Sequence, residues 1–172
     1  MLDPCKGTFM LKCWKNIQVG EIIKIREDEF APADVLMLGC SDENGVCYVE
    51  TKNLDGETNL KIKNVHKEIN GRFNSPDNLL HIDGQLLCEK PNGALYKFEG
   101  AAKFNFQKAK IPVYPENVIL RGSSLKNTEH IFGMSVFTGP DSKVMMNSSQ
   151  AKYKFSKLEM LVNKSMLIVF CL

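Results

Sequence analysis

Between residues 18 and 138 the apolar positions fall in short runs, several of them alternating with polar ones, and each run is closed by Gly, Pro, Asn or Asp. That pattern predicts half-buried β-strands rather than helices. The first runs are 18–26 (QVGEIIKIR), 34–40 (DVLMLGC) and 46–54 (VCYVETKNL), with 41–45 between the last two reading as a hairpin-like loop in which Asn44 and Gly45 can take positive φ. Residues 81–89, 95–106, 117–125 and 129–138 continue the series. Short strands separated by turns predict a mainly β fold, a sandwich or distorted barrel, and not an alternating βαβ sheet.

Two segments break the pattern. Residues 68–78 (EINGRFNSPDN) are polar and rich in breakers, and read as a loop or short helix joining two halves of the β structure. From Ser156 onward Gly and Pro disappear, and the run through Lys157, Leu158, Glu159, Met160, Leu161 and Val162 favours a helix. Residues 166–172 are wholly apolar, but a bilayer span needs about 20 residues. The run is either a short buried tail or the start of a membrane helix; in the second case Lys152, Lys154, Lys157 and Lys164 place the chain on the cytosolic side.

Composition narrows the class. A chain of 172 residues with 44% hydrophobic and 24% charged positions fits one domain with a real core and excludes disorder. The formal charge of +2 and the lack of like-charge blocks argue against nucleic acid as a partner. The six cysteines show no C-x-x-C pair and no metal-ligand spacing, which fits a reduced cytosolic setting, and the first fifteen residues lack a signal-peptide stretch.

The chemistry concentrates at residues 53–61 (NLDGETNLK), where two carboxylates, a hydroxyl, two amides and a lysine surround Gly56 directly after a strand. Two readings are open from the residues alone. It is a solvated turn that keeps a β edge soluble, or it raises a carboxylate that positions a water for attack on an electrophile. The aromatic and basic alternation over 95–114, including Tyr96, Phe98 and Phe104, is read as core strand spacing rather than a base-stacking groove. His66, His81 and His130 stand singly and imply no metal site. No phosphate-loop, dinucleotide-binding or nucleophile-elbow motif occurs.

Residues 49–61 (VETKNLDGETNLK) resemble the actuator-domain signature of the lipid-flippase (type IV) class of P-type ATPases. Support is distributed: 14–23 (WKNIQVGEII), 28–34 with its Pro32-Ala33-Asp34 turn, 121–128 (RGSSLKNT), Thr138-Gly139, Asp141-Ser142-Lys143 and 156–159 all match the family pattern. Pro140 and His130 depart from it, where many relatives carry a histidine and an aromatic residue.

The resemblance implies a distorted jelly-roll, double-stranded β-helix-like actuator domain over 9–150, an N-terminal extension over 1–8, and over 151–172 a strut and the start of a third membrane helix. It implies that Glu57 orients and polarises water attacking an aspartyl phosphate on another domain, that Gly56 permits close backbone approach to the phosphate, that Thr58 donates to a phosphate oxygen or to Glu57, and that Asp55 shapes the loop. No cofactor is expected in this segment; ATP and Mg²⁺ would be bound by the phosphorylation and nucleotide-binding domains of the same pump, whose Asp-Lys-Thr-Gly-Thr motif is absent here. Expected partners are those domains, a phospholipid carried by other membrane helices, and a two-span accessory subunit. The segment alone would hydrolyse no ATP. A free-standing interaction module of the same fold, or a non-functional truncated copy, is the alternative.

Overall fold

Short runs that bury one side chain in two cannot satisfy their backbone locally, so they pair across the chain. The computed structural model describes residues 1–3, 7–107, 109–148 and 157–171. In chain order, β1 (Leu2–Asp3), β2 (Thr8–Phe9), β3 (Ile22–Arg26), β4 (Asp34–Cys40), β5 (Val46–Glu50) and β6 (Leu60–Asn64) precede β7 (Gly84–Cys88), β8 (Gly100–Phe104) and β9 (Ile111–Val113). Then come β10 (Val118–Ile119), β11 (Ser124–Lys126) and β12 (His130–Phe137). The helices are α1 (Lys52–Asp55), α2 (Pro76–Leu80), α3 (Lys143–Asn147) and α4 (Lys157–Cys171). The fold is mainly β, as the alternation predicts.

The strands form antiparallel sheets: a central one in the order β10-β4-β12-β3, a second in the order β11-β5-β6, a third in the order β7-β8-β9, and the β1-β2 pair. Strand β4 is buried at every position, which accounts for its unbroken apolar run: it is covered on both faces and has no solvent side for polar residues. Gly39 lies within it because a Cβ there would drive into the Phe73 carbonyl. Around β4 and β12, Ile23, Ile25, Val35, Leu36, Met37, Leu38, Ile131 and Phe132 make the centre of the core.

Several expectations are corrected. The 46–54 run ends as a strand at Glu50, and Leu54 belongs to α1. The 117–125 run is two strands in different sheets, divided at the 120–123 turn where Gly122 takes φ 83. The 41–45 loop is no hairpin: β4 and β5 lie in separate sheets, so it turns a corner, with Asp42 accepting the Asn44 amide at 2.9 Å and Gly45 at φ 71. Residues 68–78 are more than a polar connection, since Ile69 and Phe73 are buried in the core.

Four strands, β1, β2, β6 and β9, escaped the sequence reading. In β6 the usual polarity is reversed: Leu60 and Ile62 face out while Lys63 is drawn inward to donate to the Pro115 carbonyl at 2.7 Å. Burial pushes that amine's pKa down. Expected residues 149–156, including Lys152, Lys154 and Ser156, lie outside the described residues. The expected helix is present as α4, with the side chains of residues 160–170 exposed. Among the described residues no helix is long and apolar enough to cross a membrane.

Candidate functional site

The 51–59 segment is the tip of the β5–β6 hairpin, whose register closes at Glu50 opposite Leu60. Strand β5 ends where Thr51 leaves extended geometry, and one helical turn, α1, follows. That turn stops at Gly56, which takes φ 77 and ψ 0 and returns its amide to the Lys52 carbonyl at 3.0 Å. Such a left-handed stop favours glycine because it has no Cβ to oppose it. A Cβ at Gly56 would meet open space, so within this chain the glycine is required by its dihedral angle and not by crowding.

The turn brings donors onto one carboxylate. Asp55 accepts from the Thr51 hydroxyl at 3.0 Å, from the Glu57 amide at 3.0 Å, from the Lys61 amine, and from the Tyr96 phenol at 2.6 Å. Lys61 also lies 3.0 Å from Glu57 Oε2 and 4.8 Å from the centroid of the Tyr96 ring. Partial desolvation pushes the Asp55 carboxyl up, but the hydrogen bonds from Lys61, Tyr96, the Glu57 amide and Thr51 outweigh it and hold the pKa well below the usual carboxylate range. For Lys61 desolvation pushes the amine's pKa down, but its hydrogen bonds to the Asp55 and Glu57 carboxylates and to the Tyr96 oxygen outweigh it and raise the pKa.

The predicted site residues therefore divide. Asp55 is sequestered, with a side chain 13% exposed, whereas Glu57 has a side chain 57% exposed at the tip. Gly56 and Thr58 are exposed beside it. One carboxylate shapes the loop and the other is presented to solvent.

The donor set also tests a metal. Because Asp55 is taken up by four donors, Glu57 is the one carboxylate that the 51–59 tip presents, and a single carboxylate is no ligand set for a divalent cation. Among the described residues no cluster of three or more His, Cys, Asp or Glu side chains is placed to hold a metal ion.

Tyr96 is the site residue that sequence reasoning missed. It belongs to the 95–114 aromatic stripe read as core spacing, and that reading is corrected: Phe98 and Phe104 are buried, but Tyr96, Phe106 and Tyr114 are exposed. The contact of Tyr96 with Asp55 spans 41 positions, and nothing local in the sequence announces such a pairing.

No protein-family model matches the chain. Individual proteins do. The chain is 42% identical over 164 residues, 95% of its length, to the probable phospholipid-transporting ATPase 12 of Arabidopsis thaliana. It is 40% identical over 99% of its length to a phospholipid-transporting ATPase of Schizosaccharomyces pombe, and 38% identical over 95% to phospholipid-transporting ATPase ID of Mus musculus. Over nearly its whole length the chain is thus homologous to one segment of the phospholipid-transporting P-type ATPases. It spans only 13–14% of the length of these relatives.

Proposed function

We propose that this chain is the actuator segment of a phospholipid-transporting P-type ATPase and that its 55–58 loop promotes hydrolysis of the acyl phosphate formed on another domain of the pump. The observation that carries this reading is the division of labour between the two carboxylates. Asp55 is fixed by four donors, and Glu57, one step past a left-handed glycine, projects from the hairpin tip.

A general base must reach the proton or water it acts on within hydrogen-bond distance. Glu57 meets that requirement for a phosphate brought to the tip, orienting and polarising the attacking water, while Thr58 beside it supplies a hydroxyl donor. Lys61, 3.0 Å from Glu57, offsets part of the repulsion between a carboxylate and a phosphate. ATP and magnesium belong to the other domains in this reading, as does the phosphorylated aspartate. Rotation of a stiff β body against those domains pulls on the connected membrane helices and couples dephosphorylation to movement of a phospholipid toward the cytosolic leaflet, a rigid-body transition. The segment faces the cytosol, and a two-span accessory subunit accompanies the pump.

The test is the phosphoenzyme of a pump carrying this chain. With Glu57→Gln, phosphoenzyme forms from ATP and decays more slowly, by about 10²-fold on the usual scale for loss of a general base. Unchanged decay overturns the role given to Glu57. The isolated 172-residue chain hydrolyses no ATP, and magnesium-dependent turnover by it, abolished in Glu57→Gln, would contradict the reading.

A further inference from the structure

We infer that Tyr96 is a positioning residue for the 55–58 loop, tying the hairpin tip to the body of the domain through Asp55; the inference rests on the dephosphorylation reading above. Three of the groups that bond the Asp55 carboxylate belong to the same hairpin, Thr51 and the Glu57 amide in its tip and Lys61 in β6. They fix the tip within the hairpin but not against the rest of the domain. Among the described residues Tyr96 is the hydrogen-bonding partner of Asp55 that comes from outside the hairpin, at 2.6 Å. It adds a cation–π contact to Lys61 with 4.8 Å from amine to ring centroid.

A positioning group must itself be held, and Tyr96 is. It sits in the 89–99 connection between β7 and β8, which closes through the Glu89 amide onto the Glu99 carbonyl at 3.0 Å. At the base of that connection the fully buried Lys143 donates to Glu89 at 2.7 Å and to Asn92 at 2.9 Å. Its amine lies 5.8 Å from the ring of Phe98 and 5.9 Å from that of Phe137. Asn92 in turn accepts the Ala94 amide at 3.1 Å. The chain of contacts therefore runs from β12 and α3 through Lys143 to the 89–99 connection, and from Tyr96 to Asp55.

Tyr96 is 61% exposed, so its contribution to the core is small. What it supplies is a charge-assisted hydrogen bond to a carboxylate, the stronger kind. Loosening it leaves the tip folded but free to pivot, and a general base displaced by an ångström loses much of its effect.

The experiment uses a pump carrying this chain and compares Tyr96→Phe, which deletes one oxygen, with Glu57→Gln. Rapid-quench measurements separate formation of the phosphoenzyme from its decay. In Tyr96→Phe formation keeps its rate and decay slows by about tenfold, the size expected for one hydrogen bond to a charged group. In the isolated chain the NMR titration of the Asp55 carboxyl moves to higher pH in the same variant, because a donor to the charged form is gone. If Glu57→Gln slows decay and Tyr96→Phe does not, the positioning role is overturned while the loop's function stands. If Glu57→Gln leaves decay unchanged, the functional reading fails first. A Tyr96→Phe variant that slows formation and decay alike also overturns the proposal, since that is the mark of general loosening of the domain.

Discussion

The carboxylate of Asp34, the first residue of β4, accepts the backbone amide of Lys143 at 2.7 Å across 109 positions of sequence, and its second oxygen accepts the amide of Arg121 at 2.8 Å. One buried acid thereby ties the central sheet to the 120–123 turn and to the start of α3. It satisfies two amides that would otherwise be desolvated without partners.

Removing that acid is expected to be costly. Asp34→Ala strands both amides and destabilises the domain by about 3 kcal/mol, while Asp34→Asn keeps one acceptor and costs less. Urea unfolding of both variants checks the order; equal and small losses would refute it.

The same residue sets a pH dependence. Burial raises its pKa above the ordinary carboxylate value, against the hydrogen bonds from the Arg121 and Lys143 amides. The native state therefore holds this proton more tightly than the unfolded chain. Its contribution is fully present below the ordinary Asp range and is lost as pH rises through the elevated native value. The stability difference between the unsubstituted chain and Asp34→Asn should fall across that window, and a difference that rises there contradicts the assignment.

Asp55 behaves in the opposite sense. Its native pKa lies below the ordinary value because the hydrogen bonds from Lys61, Tyr96, the Glu57 amide and Thr51 overcome desolvation. The associated stability is present above the ordinary carboxylate range and is lost as pH falls through the depressed native value. Unfolding measured at successively lower pH should show a shallower acid loss in Asp55→Asn than in the unsubstituted chain; identical slopes would remove Asp55 from the account.

Lys143 is a cation with a side chain 1% exposed, paired with Glu89. Lys143→Met fills the same space but leaves Glu89 and Asn92 without their donor, and destabilisation of about 3 kcal/mol is expected. Thermal unfolding checks it, and a neutral or stabilising result would show that the ion pair is dispensable.

At Gly56 the expected cost comes from the backbone alone. No atom lies within 4 Å of an added Cβ, but φ is 77, so Gly56→Ala should destabilise by about 1 kcal/mol, and Gly56→Asn by less because Asn tolerates the left-handed region better. Denaturant midpoints give the comparison, and an unaffected Ala variant would mean that the turn relaxes to another shape.

The strands were legible where the apolar pattern was produced by burial itself. The 34–40 run is β4 residue for residue, and the 129–138 run contains all of β12. Strand β6 was not legible because its outward residues are Leu60 and Ile62 and its inward one is Lys63. Alternation gives the period but not which face is covered. The 41–45 turn was recognised, yet its flanking strands part into two sheets, since turn chemistry fixes a local bend and not the partner beyond it.

By itself the sequence determined the mainly β class, the turn glycines, the helical character after residue 156 and the concentration of polar and charged groups around Gly56 in residues 53–61. Each of these depends on dihedral preference or side-chain type within a few positions. Only the tertiary structure decided that Asp55 is sequestered and Glu57 presented, that Tyr96 reaches the loop from the β7–β8 connection, and that Asp34 and Lys143 join distant segments. Those outcomes depend on which strands pack together, and a contact across 41 or 109 positions leaves no local trace because its energy is realised only when the fold has closed around it.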